Sequence, residues 1–212
     1  MKTAVILFGL PVLATIGTAC GATQVDNAPI AAHEQADARV MPEVGGAAVD
    51  QMAVFRRSST PGDALPSALA DEAQLVNQGA PASFRVGELR LPKSRLLLEN
   101  VGSQNASFYA VPTSSGAVCI SGLGGGCVTN FSRYRGGIPI ALGDFAGMRA
   151  VGGLAPDAVK AITVVIAGAR NPAVVANNAY FYELAEEAWP EALVVTYSNG
   201  AEETLQIPAR PW

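Results

Sequence analysis

Reactive side chains at short spacing are densest in Val118-Cys119-Ile120-Ser121-Gly122-Leu123-Gly124-Gly125-Gly126-Cys127-Val128, which sets four glycines between two cysteines. A phosphate cradle needs Gly-x-x-x-x-Gly-Lys-[Ser/Thr], or Gly-x-Gly-x-x-Gly opening a helix, so that backbone N–H groups meet the anion. No lysine follows here, and Val128-Thr129-Asn130-Phe131 reads as strand. A redox dithiol uses Cys-x-x-Cys, whereas seven residues separate these two. Structural zinc takes four ligands, and His33 is the sole histidine. What remains is a hairpin reversed on glycines and stapled by a Cys119–Cys127 disulfide, worth roughly 2 to 3 kcal/mol in the chain-entropy model. No metal or cofactor site is expected.

Acid–base chemistry has one cluster to draw on, Glu183, Glu186, Glu187 and Glu191, with Asp144 apart in a glycine-rich loop. Two carboxylates facing one another across a cleft are the machinery of a glycoside hydrolase. The competing reading gives residues 184–189 one or two helical turns stopped by Pro190, with the acids on the solvated face. Gly-x-Ser-x-Gly is absent, His33 sits in a linker-like stretch, and Lys93 and Lys160 fall outside any Ser-x-x-Lys frame, so a serine nucleophile has no base. Tyr180, Tyr182 and Trp189 form a candidate binding surface. On a strand the two tyrosines point one way and Phe181 the other, so one aromatic face either meets a partner or packs into the core. Arg56-Arg57 and Arg133-Tyr134-Arg135 can grip a carboxylate or phosphate, although basic pairs more often carry surface charge.

These groups must be held by a chain of 212 residues, enough for one domain with a core. Half of the residues are hydrophobic and 15% are charged, which excludes wholesale disorder. A formal charge of −4 offers no field for phosphate backbones, so nucleic acid is not an expected partner. Lys2, the uncharged residues 4–17 and Gly17-Thr18-Ala19-Cys20 read as an export signal over residues 1–19. The apolar run is shorter than the ~20 residues of a membrane-spanning helix, and Pro11 interrupts it. Cleavage after Ala19 leaves Cys20 first, a lipobox-like arrangement in which the thiol is acylated and anchors the protein to the membrane. Cleavage after Ala22 discards Cys20 and releases a secreted protein. Either way export reaches oxidising surroundings, where Cys119 and Cys127 pair.

Residues 20–47 mix Ala, Pro, Gly and scattered charges and read as a flexible tether, reaching on the order of 30 Å. Residues 49–55 place Val49, Met52 and Phe55 on one helical face, and residues 64–78 do the same with Leu65, Leu69 and Leu75, closed by Gly79. Two short helices are therefore expected in a segment, 48–82, that packs on the following domain. From residue 83 short Val-, Ile-, Leu- and Tyr-rich runs alternate with turn signals. Strands are expected at 84–91, 95–99, 107–111, 117–121, 127–131, 138–142 and 148–151. Residues 160–167 are near-continuously apolar, suiting a strand covered on both faces, and 168–172 return it toward 173–176. Residues 193–197 and 203–207 make a hairpin whose Asn199-Gly200 pair supplies positive φ angles. The fold class is α+β, a mainly antiparallel β sandwich or barrel over residues 83–212 preceded by two short helices.

Phe55-Arg56-Arg57 followed by Thr60-Pro61-Gly62-Asp63-Ala64-Leu65-Pro66, and later Tyr109-Ala110-Val111-Pro112-Thr113-Ser114-Ser115-Gly116-Ala117-Val118-Cys119, resemble exported proteins of unassigned function from high-GC actinobacteria. The similarity spans the middle of the chain and part of its end. It implies export and carries over no catalytic residue. The expectation is an exported, lipid-anchored, non-enzymatic β-rich protein of the cell envelope with a binding or structural role, held on the outer face of the membrane or secreted. Its alternatives are an envelope hydrolase using paired carboxylates and a sensor or inhibitor that contacts another protein through the Tyr180 region.

Overall fold

The computed structural model describes residues 46–79, 86–122, 126–134, 137–145 and 147–209. The export signal of residues 1–19, Cys20, His33, the tether up to residue 45 and Arg135 lie outside the described residues. Among the described residues strands alternate with short turns and assemble into three four-stranded antiparallel sheets. The first is a meander in the order β1 (Arg95–Val101), β2 (Ala106–Pro112), β3 (Val118–Ser121) and β4 (Gly126–Val128). The second joins β5 (Ala141–Phe145), β6 (Met148–Leu154), β9 (Val174–Ala176) and β10 (Ala179–Glu183) in the order β5-β6-β10-β9. The third joins β7 (Val159–Ile166), β8 (Ala169–Pro172), β11 (Ala192–Tyr197) and β12 (Glu202–Gln206) in the order β12-β11-β7-β8.

The two-residue period of a strand decides how these sheets share their apolar residues. On β10, Phe181 enters a core with Phe108, Leu97, Met148 and Ala150, while its neighbour Tyr180 enters another with Val151, Ile162, Leu193 and Val195. The second sheet thus separates two cores, and β6 and β10 are covered on both faces. Phe108 and Phe181 meet across the first core with ring centroids 5.4 Å apart at 42°, a tilted geometry worth about 1 kcal/mol beyond area burial. The expected double coverage of residues 160–167 is not found. Ile162 and Val164 of β7 are buried, but Lys160 is exposed and Ala161, Thr163 and Val165 are half-buried, because β7 belongs to the third sheet, with one core beneath it.

Close packing on β6 depends on a missing side chain. A Cβ on Gly153 would lie 2.6 Å from the Pro139 carbonyl oxygen and 3.0 Å from the Tyr180 ring. The glycine lets both lie against the strand, and the Tyr180 hydroxyl donates to that same carbonyl at 2.8 Å. Burial pushes the Tyr180 phenol well above its ordinary pKa, so it stays a neutral donor.

Of the two expected helices, α1 (Ser67–Gly79) forms, with its own Ala73 buried. Residues 49–55 instead make 3₁₀ turns, Ala48–Gln51 and Ala53–Phe55, broken by extended Met52 at φ −122° and ψ 110°. The reason is competition for backbone donors: Ala53 N–H donates to Asp157 at 2.6 Å and Val54 N–H to Asn178 at 2.9 Å. Val49, Met52 and Phe55, three apart, fit a 3₁₀ period as well as an α period. In the described part of 84–91, Leu89 makes a single bridge to Thr113, followed by a 3₁₀ turn Leu91–Lys93. β5 begins at Ala141, beyond Pro139, which has no N–H for a ladder. β4 stops at Val128 and is followed by a 3₁₀ turn, Phe131–Arg133, capped by Asn130. Residues 184–189 form a lone turn, Ala188 N–H to Ala185 C=O at 2.9 Å, rather than helix.

The β11–β12 hairpin forms with a different turn from the one expected. Tyr197 C=O accepts from Gly200 N–H, and Tyr197 N–H donates to Ala201 C=O, both at 2.9 Å, which encloses a three-residue loop. Gly200 takes the positive φ of 80°; Asn199 instead accepts the Ala201 N–H on its side chain at 2.9 Å. Two-residue turns with both residues at positive φ are found instead at Ala167-Gly168, at 48° and 74°, between β7 and β8, and at Asn177-Asn178, at 45° and 67°, between β9 and β10.

Candidate functional site

The arginine pair is consumed within the chain. Arg57 forks onto Asp63, its Nη1 donating to Oδ2 at 2.7 Å and its Nη2 to Oδ1 at 2.6 Å. Asp63 ends the 3₁₀ turn Pro61–Asp63 and is 1% exposed. Its oxygens also accept from Thr60 N–H at 2.7 Å, Thr60 Oγ1 at 3.0 Å and Leu96 N–H at 2.8 Å. The Arg57 guanidinium holds the carboxyl far below the usual range, outweighing a burial that pushes it up, and the Thr60 and Leu96 donors add to it. Arg56 pairs with Asp157, which also accepts from Asn178 Nδ2 at 2.8 Å. Burial pushes Asp157 up, but the bonds from Asn178, Arg56 and Ala53 prevail and its pKa is lowered. The two arginines therefore pin residues 53–63 to β1 and to the segment before β7. The phrase Phe55-Arg56-Arg57…Thr60-Pro61-Gly62-Asp63 is a structural knot.

The carboxylate cluster is dispersed. Register decides the case for Glu183 and Asp144: Glu183 pairs with Ala150, on the face toward the first core, and Asp144 pairs with Arg149, on the opposite face with Val151. A common cleft is closed to them. Glu183 accepts from Ser103 N–H at 2.8 Å and Ser103 Oγ at 2.5 Å, fastening the β1–β2 turn. Glu191 accepts from Gly168 N–H at 3.2 Å, and Glu186 and Glu187 are exposed on the 185–188 turn.

The candidate aromatic surface is also divided. Tyr180 has no exposure at all, so it is corrected from surface to core residue, drawn in by the apolar face it shares with Val151. Tyr182 is half-buried against the same core. Trp189 is half-buried; its Nε1 donates to Pro208 C=O at 2.9 Å, and the Arg149 guanidinium lies 5.6 Å from its ring centroid. Cys119 and Cys127 face one another in the β3–β4 ladder and are bonded, with Cα atoms 3.9 Å apart. Arg133 is exposed and Tyr134 is half-buried against the first core.

One group of cations is not spent in this way. Arg90, Lys93 and Arg95 line a groove of about 450 Å³ between the Leu91–Lys93 turn and the 113–116 turn. Ser59, Thr113 and Ser114 add hydroxyls to it, and Val49, Phe55, Pro92 and Pro112 give it an apolar wall. The ion pairs among the described residues are Arg56–Asp157 and Arg57–Asp63, so none of the three cations has a carboxylate partner there. Arg95 donates through Nη1 to the carbonyls of Lys93 at 3.3 Å and Ser94 at 2.8 Å, while its Nε is buried without an acceptor.

A second cavity of about 450 Å³ touches Asp157 and Asn178, whose polar atoms are already bonded. A third, of about 340 Å³, lies between α1 and the Cys119–Cys127 bridge and is mainly apolar.

Sequence reasoning missed Asp63, Asp157, Asn178 and the groove. The Thr-x-x-Asp frame at 60–63 was a readable cap signal; the groove had none, because its walls come from separate parts of the chain. No protein-family model, curated protein or solved structure matches this chain.

Proposed function

We propose that this chain is an exported, membrane-tethered, non-enzymatic binding domain of the cell envelope, with Cys20 as its lipid-bearing residue and the basic groove as its ligand site. The three open sheets, each with two edges, read as a layered β sandwich with two cores rather than a closed barrel. The observation that carries the binding reading is the contrast between spent and unspent charge. Arg56, Arg57, Asp63, Asp157 and Glu183 hold the fold together, whereas Arg90, Lys93 and Arg95 share a groove without a counter-ion among the described residues. Export is supported by the lipobox-like signal and is compatible with the disulfide, since such bonds persist in oxidising compartments.

Expression of the full chain in a bacterial host with an alkyne fatty acid tests the tether. Label is expected on a membrane-bound product that begins at Cys20, and it is expected to vanish in Cys20→Ala. An uncut chain in the cytosol with alkylatable Cys119 and Cys127 would overturn the reading.

A further inference from the structure

We propose that the groove binds a phosphorylated sugar, its phosphate on Arg90, Lys93 and Arg95 and its ring against Phe55, Pro92 and Pro112. This names a ligand class for the groove and does not rest on export or lipidation. Three cations lie within six residues of sequence, on one short turn and the first residue of β1. Such a patch calls for a ligand with more than one negative charge in a small volume. A phosphate monoester carries nearly two near neutral pH, and a carboxylate carries one. The planar guanidinium fork matches phosphate oxygens. Arg95 bonds within the chain through Nη1 alone among the described residues. Glu88, whose N–H donates to Ser114 Oγ at the groove edge, is exposed and makes no ion pair with the three cations.

The opposite wall fixes the other half of the ligand. Phe55 and the two prolines offer an apolar wall suited to the C–H face of a sugar ring, and the hydroxyl of Ser59 suits its hydroxyls. The volume, about 450 Å³, lies in the range of small-molecule sites. A nucleic-acid strand would need a basic track along the surface, and a chain of formal charge −4 is a poor source of one.

The test is calorimetric titration of the full chain in non-ionic detergent micelles, at low salt, with glucose 6-phosphate, inorganic phosphate and glucose as separate probes. Glucose 6-phosphate is expected to saturate one site and to bind more tightly than inorganic phosphate. The double variant Arg90→Ala/Lys93→Ala alters two exposed residues, and it is expected to weaken that binding by at least about tenfold, as loss of a charge-assisted contact does. Arg170→Ala, exposed on β8, is the control and is expected to leave it unchanged. Three results would overturn the proposal: no saturable binding of glucose 6-phosphate, equal affinity for inorganic phosphate, or equal weakening by Arg170→Ala.

Discussion

Asp63 is a charged residue with 1% exposure, and its stability rests on five donor contacts rather than on solvent. Removing one partner of such a buried pair costs about 3 to 5 kcal/mol, because the other charge stays behind unpaired. Arg57 is one-third exposed, so the loss for Arg57→Ala is placed at the lower end, about 3 kcal/mol, readable as a fall in the urea midpoint. The pH dependence follows from the direction of the shift. The folded-state pKa of Asp63 is depressed below 3.8, so its contribution is complete above the unfolded-state value and fades as pH falls through the folded one. Urea midpoints of the native chain are therefore expected to drop below about pH 4, and Asp63→Asn, already weakened at pH 7, is expected to show a flatter profile there. Equal acid slopes for the two proteins would remove Asp63 from the account. At this scale the sequence was only half legible. The cap frame Thr60-x-x-Asp63 could be read directly, but that Arg57 would turn inward depends on Leu96, 39 residues away on β1.

Elements were more legible where both periodicity and turn chemistry were local. β1, β2, β3, β6 and the β11–β12 hairpin fall where alternating apolar residues and Asn-Gly placed them. The misses at 49–55 and 138–142 share a cause, which is that another element or a proline removed the backbone donors a local pattern had assigned. Asp157 and Asn178 take those of Ala53 and Val54, and Pro139 has none to give. β6 illustrates the reverse case, a strand that looks weak in isolation. Met148-Arg149-Ala150-Val151-Gly152-Gly153-Leu154 has two glycines, yet Gly153 is required by Pro139 and Tyr180 packed against it. Gly153→Ala is expected to cost about 1 to 3 kcal/mol by overpacking, against the gain of a few tenths that an unconstrained Gly→Ala would bring. An unchanged or raised melting temperature would show that the Pro139 segment yields freely.

At the largest scale the described residues are organised by the middle sheet, whose side chains alternate between two cores. Phe181→Ala, in one core, and Leu193→Ala, in the other, are each expected to cost about 3 kcal/mol or more. Because β10 serves both cores, each variant is expected to shift a single transition, with far-UV and near-UV signals coinciding. Two separated transitions, each moved by one variant, would mean that the layers unfold independently. The candidate surface of Tyr180, Tyr182 and Trp189 could not be judged from sequence for this same reason. An alternating strand announces two faces, and whether one of them meets solvent depends on a third sheet drawn from distant parts of the chain. The borders of the sheets carry a consequence for recognition. β4 and β9 span three residues, β8 ends in Pro172, β12 opens with Glu202-Glu203, and β1 is broken by irregular register. Five of the six rims thus give an incoming extended peptide little ladder to continue, and β5, five residues in unbroken register with β6, is the margin left for backbone pairing.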